Sequence, residues 1–120
     1  MTYAVDVRSL QEGQSAMFVR VLNFTCRKET EISDIQEVYR TIADHARTFD
    51  GFVGSTLLMR QHACCGMAMM YWDSEEAASA AGTGIVALLG EHAYHLMDDA
   101  PEIQGYHVIE NGILPEKKPT

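Results

Sequence analysis

The sequence predicts an α+β fold, a ferredoxin-like split βαβ sandwich in which a four-stranded antiparallel sheet carries two helices on one face. Three observations predict it. Along the chain the patterns run strand, helix, strand, strand, helix, strand; both helical segments carry a single apolar stripe; and the longest strands are too apolar on both sides for either face to be left in water. With 120 residues, 47% of them hydrophobic, the chain suits one core and one domain.

Residues 1–16 read as an arm before a domain spanning 17–114. Met17 to Cys26 is rich in β-branched and aromatic residues and free of Gly and Pro, which predicts a strand. Its alternation puts Met17, Val19, Val21 and Asn23 on one side, and Phe18, Arg20, Leu22, Phe24 and Cys26 on the other. Ser33 and Gln36 have capping-box spacing and predict a helix start. From there Ile35, Val38, Tyr39, Ile42, Ala46 and Phe49 form the apolar stripe, and Asp50-Gly51 ends the helix. Phe52–Arg60 and Cys64–Trp72 read as a hairpin joined through His62. In the second of these strands, Ala68 and Met70 share the Trp72 side. Asp73 and Glu76 mark a second capping box. The helix they open is expected to break at Gly82-Thr-Gly84 before Ile85, Leu88, Leu89, His92 and Leu96 resume a stripe. Tyr106–Asn111 reads as the last strand, and 115–120 as a polar tail.

Composition excludes several classes. Nine Lys and Arg against 17 Asp and Glu give a net charge of −8, which repels nucleic acid and anionic lipid. The apolar run from Cys64 to Trp72 is far short of the roughly 20 residues of a membrane span, and the first 16 residues lack a signal pattern, so a cytoplasmic protein is expected. Three cysteines, two of them adjacent, do not make a disulfide framework, and Cys64 and Cys65 are expected to be inert.

Three passages carry a resemblance: Val21-Leu-Asn23, Phe49-Asp-Gly-Phe-Val-Gly-Ser-Thr-Leu-Leu58, and Tyr71-Trp-Asp-Ser-Glu-Glu-Ala77. Over residues 17–114 the chain resembles the antibiotic biosynthesis monooxygenase family of the dimeric α+β barrel superfamily. The resemblance implies a homodimer whose subunits seal each other's sheets, and a cofactor-independent monooxygenase acting with O2 on a small aromatic phenol, anthrone or quinol. Asn23 and Trp72 resemble the family's pocket residues. Asn23 offers donors and an acceptor for a phenolate or enolate oxygen, and Trp72 a broad face and one N–H. The family's further polar pocket residue on the third strand has no counterpart where Ala68 and Met70 stand.

His92, on the second helix's apolar stripe, is the candidate proton acceptor. Met70, Ala68, Tyr39 and Leu88 are expected to line the substrate pocket. Family members that degrade haem use a helix-two His as iron ligand, so haem held by His92 is the alternative cofactor reading; otherwise none is expected. A non-catalytic small-ligand module is the third reading. His92 and His95 stand three residues apart, but no third metal ligand is identifiable, and no metal site is expected. Arg20, alone in an apolar strand, is expected to pair with an edge or partner-chain carboxylate rather than with substrate.

Overall fold

The structure, a computed structural model, describes residues 17–61 and 63–111. The expected arm over 1–16, the tail over 115–120 and His62 lie outside the described residues. Strand β1 (Phe18–Thr25) leads to helix α1 (Ile32–Ala46), then β2 (Phe52–Met59), β3 (Cys65–Trp72), helix α2 (Glu75–His92), a single 3₁₀ turn (Tyr94–Leu96) and β4 (Glu102–His107). The strands form one antiparallel sheet in the order β2-β3-β1-β4, with both helices packed over it. This is the ferredoxin-like arrangement the pattern predicts. No helix among the described residues is long and apolar enough to cross a membrane.

The β1–β3 register pairs Phe18 with Trp72, Arg20 with Met70, Leu22 with Ala68 and Phe24 with Gly66. These residues face the helices, and Phe18, Leu22, Phe24, Met70 and Trp72 belong to one core cluster with Ile35, Ile42, Ala81 and Leu89. The intervening residues, Val19, Val21, Asn23, Met67, Met69 and Tyr71, form the opposite face. Val21 is buried yet stands outside the core cluster, as its position on that face requires. Trp72 closes the end of the core at 1% exposure, edge-on to Phe52 with ring centroids 5.3 Å apart. Burying an indole of this size stabilises the fold by about 4–6 kcal/mol in area terms.

Local chemistry corrects four expected boundaries. Helix α1 starts at Ile32, not after Ser33: Glu31 is its N-cap, and the Asp34 carboxylate accepts from the Glu31 backbone N–H at 3.3 Å. Helix α2 is capped by Ser74, whose Oγ accepts from the Ala77 N–H at 3.0 Å, and not by Asp73. It also runs unbroken through Gly82 and Gly84. A Cβ at Gly84 would meet the Phe49 ring at 2.7 Å, so the bare backbone is where the aromatic from the α1 exit rests against α2. Tertiary packing there outweighs the low helix propensity of glycine. Finally, β4 covers Glu102–His107 and not 106–111, because it pairs with β1 from Asn23↔Glu102 to Phe18↔His107. Gly105 in its interior conceals that strand, since glycine reads as a breaker.

The turn from α1 into β2 depends on Gly51, whose φ of 83° lies in the left-handed region. A Cβ there would approach Ala77 Cβ to 2.5 Å and Asp73 Oδ1 to 2.6 Å. Gly51→Ala is therefore expected to cost roughly 1–3 kcal/mol. The check is a lowered urea midpoint with an unchanged slope.

Candidate active site

Between the helices and the inner face of the sheet lies a cavity of about 660 Å³. That volume suits a drug-sized ligand, and its walls are chiefly aliphatic and aromatic. The sheet supplies Leu22, Ala68, Met70 and Trp72; α1 supplies Ile42 and Tyr39; α2 supplies Leu89. Ser79 and Thr83, one helical turn apart on α2, bring hydroxyls. The Tyr39 hydroxyl and Ser55 Oγ are 2.5 Å apart, a hydrogen bond that ties α1 to β2 at the cavity wall.

Of the residues expected in the pocket, Trp72, Met70, Ala68 and Tyr39 line it. Three do not. Asn23 pairs with Met67, on the opposite face of the sheet from Trp72, and lines a separate, more open hollow with Arg60, Cys65 and Glu102. The expectation that its amide and the indole share one pocket is overturned by strand parity. His92 lies at the C-terminal end of α2, stacked on His45 from the end of α1 with ring centroids 6.1 Å apart and planes inclined by 24°. Its Nε2 is 3.9 Å from the Glu91 carboxylate. It is not among the cavity's lining residues. Leu88 packs against the core, but its neighbour Leu89 takes the lining position.

Among the described residues no imidazole or thiol lines the cavity. Nor, among the described residues, is there a group of three or more His, Cys, Asp or Glu placed to hold a metal ion.

Two further polar groups stand at or behind the cavity wall. Trp72 Nε1 is buried and meets no hydrogen-bond acceptor of the protein among the described residues. An unsatisfied buried donor costs about 1–3 kcal/mol; with less than 1 Å² of surface this one stands behind the cavity wall, and a ligand acceptor reaches it only when neighbouring side chains shift. Arg20 is the second. Among the described residues no carboxylate lies within ion-pair distance of it, so the edge-carboxylate expectation is not met. Its guanidinium instead stands over the Phe18 ring, 5.4 Å from the centroid. Alternation along β1 sets Arg20 beside Phe18 and Leu22, and the β1–β3 register puts that side with Trp72.

The three cysteines are free. Cys26 is 2% exposed, and burial followed by the Cys64 and Cys65 neighbours pushes its thiol up to about 12. The unfolded thiol ionises near pH 9 while the folded one stays protonated, so this contribution to stability is complete below about pH 9 and lost as pH rises toward about 12. Cys26→Ala is expected to flatten the alkaline decline of the urea midpoint relative to wild type, and native Cys26 is expected to resist iodoacetamide at pH 8.

Between its helices and sheet this ferredoxin-like domain holds a half-open apolar cavity, the kind of concave site at which small ligands bind. No family model and no curated protein matches the chain in sequence. Solved structures do match in fold. A variant of SnoaB, a cofactor-independent oxygenase from Streptomyces nogalater, superposes with a TM-score of 0.68 at 20% identity, over 84% of this chain and 99% of that one. A Nitrosomonas europaea protein named for the antibiotic biosynthesis monooxygenases gives 0.65 at 12%, over 79% and 92%. MhuD, a haem degrader from Mycobacterium tuberculosis with two haems in its active site, gives 0.63 at 18%, over 78% and 97%. The chain thus has the fold that the resemblance implied, and at these identities the likeness extends to fold alone.

If the cavity is the binding site, Trp72→Ala is expected to weaken binding of a tricyclic aromatic probe at least tenfold and to lower stability by about 3–5 kcal/mol. Asn23→Ala is expected to leave that affinity unchanged. Isothermal titration with 2-methoxyanthraquinone, beside urea melts, checks both.

Proposed function

We propose that the chain is an oxygenase of the antibiotic biosynthesis monooxygenase family, acting as a homodimer on an electron-rich polycyclic phenol, anthrone or quinol without metal or organic cofactor. The observation that carries this reading is the cavity: a half-open hollow, aromatic and aliphatic, of ligand size, with few polar groups. The neighbouring SnoaB, a cofactor-independent oxygenase, shows that the fold hosts such chemistry.

The reaction asks little of the protein. An anthrone loses two hydrogens and gains one oxygen atom from O2, and the second oxygen leaves as water. The electrons come from the substrate, so the protein's contribution is to bind the reduced ring, keep bulk water from it and favour its anion. Trp72 backs the wall with a flat ring, and its unpaired N–H is a donor for a substrate carbonyl once neighbouring side chains give way. Met70 and Met97 add polarisable contacts to the ring, since thioethers pack well against aromatic faces.

A second copy is the proposed cover of the opposite face. Val19, Val21, Met67, Met69 and Tyr71 stand there with Leu58 and Tyr106, which are 46% and 49% exposed in the single chain. A contiguous face of this kind is a recognised mark of association.

With 1,8-dihydroxyanthrone as substrate, the purified protein is expected to consume O2 and give the anthraquinone one for one, before and after dialysis against EDTA, with sedimentation at twice the monomer mass. Trp72→Phe is expected to lower kcat/KM by about tenfold, the loss of one ligand hydrogen bond. Tight anthrone binding with no O2 uptake would replace the oxygenase with a sequestering module.

A further inference from the structure

Resting on that reading of the cavity, we infer that Arg20 is the cavity's anion-binding residue and that the ligand enters as, or becomes, an aromatic oxyanion. Four observations carry it. Arg20 and Tyr39 are the ionisable side chains among the lining residues, and Arg20 is the cation. Its half-buried guanidinium has no carboxylate within ion-pair distance among the described residues, so its charge is uncompensated by the chain described. It is also held in place. The Phe18 ring lies beneath it, and Gly105 lies across from it on β4. A Cβ at Gly105 would fall 3.2 Å from Arg20 Nη1 and 2.5 Å from Phe18 Cζ, so the stacked pair fills the gap left by the missing side chain. Finally, Arg20 pairs with Met70 while Trp72 pairs with Phe18, which makes Arg20 and Trp72 diagonal neighbours on one face. Their strand positions are roughly 7–8 Å apart, and the guanidinium, over the ring of Trp72's partner Phe18, stands at the indole's end of the cavity.

The chemical consequence is direct. A fixed cation in an apolar cavity favours the ionised form of an acidic O–H, and the proton passes to solvent as the ligand binds. No side-chain base is then required, which answers the placement of His92 outside the cavity. The ligand class follows: phenols, enols and hydroxyquinones of polycyclic aromatics, in preference to their ethers.

The test uses 2-hydroxyanthraquinone, whose phenolate has its own visible band and which O2 does not oxidise, with 2-methoxyanthraquinone as the neutral control. In wild type the bound hydroxyl is expected to titrate at least one unit below the free compound. Arg20→Gln is expected to erase that shift and to bind the phenolate at least tenfold more weakly, with the methoxy compound unaffected. Arg20→Lys should keep part of the shift. Gly105→Ala, which crowds the guanidinium without removing it, should diminish the shift. An equal shift in wild type and Arg20→Gln, or none in wild type, would overturn the assignment; should Arg20→Gln not fold, the wild-type shift decides alone. Because the probe is never oxidised, an Arg20-dependent shift in a protein that consumes no O2 with anthrone keeps this inference and removes the oxygenase reading.

Discussion

The pairing of β1 with β3 is the constraint on which the rest of the molecule depends. Phe18 opposite Trp72 fixes the parity of both strands, and a slip of one residue would exchange the two faces entirely. The observed register sends Phe18, Leu22, Phe24, Met70 and Trp72 under the helices. It sends Val19, Val21, Met67 and Met69 the other way. The same parity places a cation beside an unpaired indole N–H and removes an amide from their company. The cavity's chemistry is thus decided by backbone hydrogen bonding before any ligand is considered.

Much of the fold was legible in the sequence for a simple reason: amphipathic periodicity is a property of each segment taken alone. The stripe Ile35, Val38, Ile42, Ala46 needed no tertiary knowledge. What was not legible depended on partners. Gly84 looks like a helix breaker until Phe49 is seen resting on it, and Gly105 looks like a strand breaker until Arg20 and Phe18 are seen occupying its space. Both glycines are read wrongly by propensity because their function is to be absent for a neighbour.

The site divides along the same line. Trp72, Met70, Ala68 and Tyr39 were found because an apolar residue on an inward stripe or strand face lines whatever lies inside. Asn23 and His92 were chosen for their chemistry, and chemistry carries no directional information. Alternation had already put Asn23 with Val19 and Val21, the residues that face away from the helices. His92 lies on a stripe that at its C-terminal end meets His45 across the helix pair, past the cavity. Arg20 was discounted for the converse reason: a lone charge on an apolar strand suggests a salt bridge, and the geometry offers an aromatic ring in place of a carboxylate.

Trp72 is the chain's single tryptophan. Being 1% exposed and part of the cavity wall, it makes the protein's intrinsic fluorescence a signal from one known place. Emission from such an indole comes at short wavelength in a nonpolar setting and responds to changes in the packing and polarity around the ring. The molecule therefore carries its own optical gauge of occupancy, one that needs no label and that a screen of candidate compounds can read directly.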